Sequence, residues 1–222
     1  MKSVSFVPVK LNNQRLPGKN TKKFSDGTAM ITFFLKTLVK VNGFDEVYVF
    51  CSNPVIKEYL IPSVKYLERP EYLDSQEATP QDIISEFMKL VDADIYAVCH
   101  CTSPFVTSEH IEECVNAVKS GDFDSSFTAE KVQRLMWKED CHPLNFDPER
   151  VPRTQDLPVY YNEVSAAYVF SREVFEKYHR RVGINPHLTL VSGIECVDID
   201  YPEDFLVADA VYNNIIKKDE IQ

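Results

Sequence analysis

The chain is poor in the residues that build glycine-rich nucleotide cradles. It has six glycines in 222 residues, and neither a G-x-x-x-x-G-K-[ST] loop nor a G-x-G-x-x-G turn occurs, which excludes the usual P-loop and the dinucleotide fingerprint. Positive charge is also in deficit, with 24 Lys and Arg against 34 Asp and Glu and a formal charge of −10. Broad nucleic-acid binding relies on basic surface that displaces counterions, so no nucleic-acid partner is expected. No apolar run approaches membrane-spanning length, and Met1-Lys2-Ser3 leads straight into a strand-like segment without a signal-peptide core. No membrane association and a cytoplasmic location are therefore expected. The six cysteines do not form a zinc pattern, because Cys99-His-Cys101 has no second Cys/His pair at the right spacing. Cys51, Cys99, Cys114 and Cys196 fall in or beside strand- and helix-like segments, where a reduced thiol packs as a small apolar group. Repeats and low-complexity tracts are absent. With 44% hydrophobic residues, a chain of this length builds one domain, 1–222, with at most a smaller appendage.

Hydrophobic periodicity predicts strands over 3–9, 46–51, 64–67, 95–99, 165–170 and 195–200. It predicts helices over 28–41, 54–60, 79–91, 107–120, 172–179 and 202–217. The alternation argues for an α/β fold, a mainly parallel sheet sandwiched by helices, with ligands bound beyond the carboxyl ends of the strands. Residues 131–163 break the rhythm. They hold Pro143, Pro148, Pro152 and Pro158, the single Trp137 and short β-like pieces, so they form an excursion from the sheet or a long surface loop.

Two constellations carry chemistry. The first strand, with Val4, Phe6 and Val7, runs into Pro8, which removes a ladder donor, and then into Asn12, Asn13, Pro17 and Gly18, which favour irregular backbone. Lys10, Arg15 and Lys19 gather on that loop. Arg15 as a planar fork, the lysines as point charges and exposed backbone N–H groups together suit a triphosphate. On composition alone, an ordinary basic surface loop fits equally well. The second is Asp198-Ile-Asp200. Alternate residues of an extended segment project to one face, so the two carboxylates can converge as hard oxygen ligands for Mg²⁺. The same acids, followed by Pro202-Glu203-Asp204, can also simply cap the terminal helix.

The pattern P-x-[KR]-x-x-x-x-R-L-P-G-K, carried by Pro8, Lys10, Arg15, Leu16, Pro17, Gly18 and Lys19, resembles the nucleotide-binding signature of the cytidylyltransferases that activate 3-deoxy-2-keto sugar acids. Its Arg-Leu-Pro-Gly-Lys end is most similar to the enzymes acting on 3-deoxy-manno-octulosonate. Arg69-Pro-Glu-Tyr-Leu, Thr102-Ser-Pro-Phe105, Pro152-Arg-Thr-Gln-Asp-Leu-Pro158 and Val197-Asp-Ile-Asp200 follow in the order of the acylneuraminate (CMP-sialic acid synthetase) branch. The five matches cover nearly the whole chain.

That resemblance implies a Rossmann-like nucleotidyltransferase that transfers CMP from CTP to a sugar acid, releasing pyrophosphate and supplying a CMP-sugar for cell-surface glycans. It implies Mg²⁺ on Asp198 and Asp200. Lys10, Asn12, Arg15, Lys19, Asn20 and Arg69 would be on the nucleotide, with Lys10, Arg15, Lys19 and Asp200 carrying the catalysis. His100, Thr102, Ser103, Arg153 and Gln155 would face the acceptor, Arg153 being able to grip a carboxylate. Residues 131–163 would embrace a second subunit, giving a homodimer. Departures are informative: Lys10 replaces the usual arginine, Gln14 a lysine, His100 a glutamine, and Val164-Ser165 an Asn-Gly pair. The mixture of branch features points to an acceptor other than ordinary sialic acid or 3-deoxy-manno-octulosonate, with legionaminic- and pseudaminic-like acids among the candidates. A nucleotidyltransferase using a sugar phosphate or phosphonate, and a non-catalytic nucleotide-binding protein, are the alternatives.

Overall fold

The computed structural model describes residues 1–219. Seven strands, β1 (Ser3–Val9), β2 (Glu46–Cys51), β3 (Val64–Glu68), β4 (Ile95–Cys99), β5 (Ser125–Val132), β6 (Tyr160–Ser171) and β7 (Pro186–Val191), form one sheet in the order β3-β2-β1-β4-β6-β5-β7. β3, β2, β1 and β4 pair in parallel, as do β5 and β7, while β6 runs antiparallel to both neighbours.

Both faces of the sheet are covered, which is why its central strands read as nearly continuous apolar runs. Val7, Val9, Val47, Val49, Ile95 and Ala97 pack with α1 (Met30–Leu38), α3 (Ser108–Lys119) and α5 (Pro202–Val211). The alternate residues Val4, Phe6, Tyr48, Phe50, Tyr96 and Val98 pack with α2 (Pro80–Leu90) and α4 (Arg172–Tyr178). Phe6 stacks on Phe87 of α2 with ring centroids 3.9 Å apart. Helix starts follow the sequence signals. Thr79 forms a capping box with Asp82 ahead of Pro80, and Thr107 accepts from the His110 N–H.

The second half of the sheet differs from expectation. β5 and β7 were not foreseen, because Ser125, Ser126, Thr128 and Thr189 interrupt their apolar character although all four are buried. The expected last strand at Glu195–Asp200 is instead a 3-10 turn, Gly193–Cys196, followed by a single extended stretch. Its Ile199 N–H donates to the Thr102 carbonyl at 2.8 Å, but the Asp200 and Tyr201 N–H groups go to the Asp204 carboxylate, so no ladder forms. The alternation survives without the ladder, with Ile199 fully buried and Asp198 turned to solvent. The expected helix over 54–60 is a 3-10 turn, Pro54–Tyr59, and the terminal helix passes into a π turn at Tyr212–Ile216. β5 and β6 also extend into the 131–163 region, pairing Lys131 with Tyr161 and Val132 with Tyr160. Beyond them Trp137 bridges to Pro143.

Candidate functional site

The loop after β1 is pinned at three points. Leu16, 5% exposed, plugs into the core, Gly18 adopts a left-handed turn (φ 66°), and Asn20 donates to the Lys10 carbonyl at 2.9 Å. Asn20 also accepts from the Cys101 thiol at 3.4 Å, so both amide ends are engaged and the residue ties the loop to the end of β4. Burial raises the Cys101 thiol to about 12, keeping it a neutral donor.

The loop thereby delivers its cations to Asp200. Arg15 grips that carboxylate at both oxygens, Nη2–Oδ1 at 2.9 Å and Nη1–Oδ2 at 2.8 Å, and Lys19 Nζ lies 2.9 Å from Oδ1. Arg15 also sits over the Tyr201 ring. Ile199 anchors the acidic segment beside Thr102, and Ser103 Oγ lies 3.5 Å from Asp198 Oδ1. Asp198 is open to solvent, yet surrounding protein displaces enough water to raise its pKa, and the neighbouring Asp200 adds to the effect.

Two adjoining cavities of about 430 and 350 Å³ share Lys10, Asn13, Lys19 and Asp200, a volume that fits a small organic ligand. The first adds Gln14, Arg15 and Gln76, and the second adds Asn20, Arg69, His100, Thr102, Ser165, Arg181 and Asp198. Arg69, 2% exposed, forms an ion pair with Asp74, which also takes the Ser52 hydroxyl, and its Nε has no partner among the described residues. Asn12 lies just outside, donating to the Asp74 carbonyl at 3.2 Å and lining a neighbouring cavity. His100 Nε2 is buried and unpartnered. Burial pushes this imidazole down to about 3, with Arg181 and Lys19 adding, so the ring is neutral.

Arg153 and Gln155 are not brought to this cleft. Both are exposed on the extension, where Arg153 pairs with Asp156 at 2.8 Å. Arg181, which does line the cleft, escaped the sequence reading. The Arg180-Arg181 doublet was visible after the α4 pattern, but nothing local says that this turn comes back beside β4 and β6.

The carboxylate pair fits a divalent magnesium ion by donor chemistry. Asp198 and Asp200 supply hard oxygens on one wall, and Mg²⁺ ordinarily completes its shell with water and phosphate. Lys19 and Arg15 occupy Asp200 in the free protein, so a metal must compete with them.

A family model described as cytidylyltransferase matches residues 4–210. N-acylneuraminate cytidylyltransferase A of Danio rerio is 27% identical over 203 residues, covering 87% of this chain and 47% of that protein. The 3-deoxy-manno-octulosonate cytidylyltransferase 2 of Hydrogenovibrio crunogenus is 27% identical over 129 residues, covering 57% of this chain and 51% of that protein. The chain thus spans about half the length of these curated relatives. A solved CMP:2-keto-3-deoxy-manno-octonic acid synthetase complexed with CTP superposes with a TM-score of 0.72 at 18% identity, covering 96% of this chain and 99% of that one. At that identity the likeness concerns the fold.

Proposed function

Because this chain belongs to the cytidylyltransferase family, we propose that it transfers CMP from CTP to a 2-keto-3-deoxy sugar acid, releasing pyrophosphate. One observation carries the reading: the cations of the β1 loop and the Asp198/Asp200 pair meet in one cleft, with Arg15 and Lys19 within 2.9 Å of Asp200. A triphosphate needs the cations, and a divalent ion on that triphosphate needs the carboxylates.

In this reading Lys10, Arg15 and Lys19 hold the triphosphate and stabilise the charge that grows on departing pyrophosphate. Arg69, fixed by Asp74, borders the nucleotide, and Asn20 acts through Lys10 by holding the loop. The acceptor lies on the β4 side, where Thr102 and His100 present one wall and the buried Ser103 backs Asp198. A neutral His100 offers a hydrogen bond without a charge. Mg²⁺ held by Asp198 and Asp200 supplies Lewis-acid stabilisation of phosphate oxygens when bound. Residues 131–163 form the dimer arm, exposing Trp137, Val151 and Tyr161 at 58, 56 and 52%. Through that arm Arg153 and Gln155 reach a partner's cleft. Among the described residues no helix is long and apolar enough to cross a membrane.

The test is pyrophosphate release with each of the four NTPs against a panel of sugar acids, sugar phosphates and phosphonates. Mg²⁺-dependent release with CTP and a sugar acid is expected. CTP binding without any release across the panel refutes enzymatic transfer, and release with a sugar phosphate or phosphonate alone refutes the acceptor class.

A further inference from the structure

Resting on the sugar-acid reading above, we propose that Arg181 is a specificity residue that binds the acceptor's carboxylate from within the same subunit. Of the other cations in the cleft, Lys10 belongs to the triphosphate loop and the remaining three are committed. Arg15 and Lys19 are on Asp200, and Arg69 is paired with Asp74. Arg181 enters from the turn after α4, on the acceptor side of the Asp198/Asp200 wall, with His100 and Ser165 lining the same cavity.

Its surroundings position it without using its donors. The guanidinium carbon lies 3.4 Å from the centroid of the Tyr168 ring, so the cation rests on the ring face and its N–H groups, which lie in the guanidinium plane, are free at the edge. Tyr168 is itself fixed: it is 1% exposed, and its hydroxyl donates to Glu163 Oε2 at 2.8 Å. Glu163 stands 3.8 Å from Arg181 Nη2, an ion pair too long for a hydrogen bond. Arg181 makes no hydrogen bond to the described residues, although only a quarter of its side chain is exposed (25%). A guanidinium held flat, three-quarters buried and lacking hydrogen-bond partners fits a planar carboxylate by a two-point contact. The unpartnered Nε2 of His100 lies in the same wall and offers a hydrogen bond to a neighbouring acceptor oxygen. This differs from the sequence expectation, which gave the carboxylate to Arg153.

The experiment compares wild type, Arg181→Gln and Arg181→Lys, each with saturating CTP and Mg²⁺, on a sugar acid and on its C1 carboxamide. Loss of one charge-assisted contact raises KM for the acid about tenfold to a hundredfold in Arg181→Gln. Arg181→Lys is expected to fall between that variant and wild type. KM for the carboxamide and calorimetric CTP affinity should stay within about twofold, the latter also reporting that the variants fold. The preference of the wild type for acid over carboxamide should therefore collapse in Arg181→Gln. A preference that survives intact in both variants overturns the assignment while leaving the enzyme reading in place. A wild type that turns over no sugar acid overturns both.

Discussion

Asp200→Asn separates the two jobs assigned to one carboxylate. In the free protein Asp200 neutralises Arg15 and Lys19, and in the working complex it is expected to face a metal. The side chains are 32% exposed for Asp200, 55% for Arg15 and 12% for Lys19. Pairs as open as Arg15–Asp200 contribute about 0–1 kcal/mol, so the fold loses little. For a chain of this size, a change of about 1 kcal/mol moves Tm by roughly 2–4 °C. Removing the negative charge also relieves repulsion against Asp198, which works in the opposite direction. For metal-free CTP the consequence is a gain, because the triphosphate no longer competes with Asp200 for Arg15 and Lys19. At about 1 kcal/mol the gain is a factor of about 5 in Kd. Titration calorimetry in chelator should therefore show tighter CTP binding, while Mg²⁺-dependent pyrophosphate release falls at least about a hundredfold, the loss of stabilisation typical of a deleted electrostatic partner. Near-wild-type turnover at saturating Mg²⁺, or weaker metal-free CTP binding, refutes the reasoning.

Three further expectations concern the loop, the acid limb and the arm. Leu16→Ala removes the plug under the β1 loop and should cost about 2–4 kcal/mol by denaturant unfolding, with KM for CTP rising more than KM for the acceptor. An equal rise in both argues against a loop-specific role. His100, held near a pKa of about 3 in the folded chain against an ordinary 6.5, gives stability that is present above about pH 6.5 and is lost as pH falls toward 3, since the unfolded chain binds the proton first. His100→Gln should flatten that part of the stability–pH curve, and an unchanged slope counts against it. By light scattering at micromolar protein the wild type is expected to be a dimer and Trp137→Glu combined with Tyr161→Glu a monomer, with CTP affinity retained; a monomeric wild type, or a dimer that persists in the variant, refutes the arm as the interface.

The first half of the fold was legible because its central strands read as short, nearly continuous apolar runs and because α2 and α3 start on threonine caps. Val4 and Phe6 face one layer and Val7 and Val9 the other, and because both layers are apolar the segment reads as a buried strand. β5 was hidden because its buried hydroxyls read as loop, and one of them, Thr128, is satisfied by backbone of β6 rather than by anything nearby in the chain. The cleft was legible where the loop and the acidic pair each had a local signature. Arg181 had none, since its meaning depends on a ring 13 positions earlier and on a glutamate in the excursion region.

The irregular register between β5 and β6 has a consequence for how the lining of the cleft can drift. Between Phe127↔Tyr168 and Ala129↔Glu163, β5 advances two residues while β6 advances five. Thr128 spans the gap, its hydroxyl donating to the Val164 carbonyl at 2.6 Å and accepting from the Ala167 N–H at 3.3 Å. A side chain thus takes over bonds that a regular ladder would demand from the backbone. Ser165, which lines the cleft, is therefore relieved of strict strand pairing, while Val164 stays packed in the core. Substitution at Ser165 can change what the cleft admits while the sheet on either side stays in register.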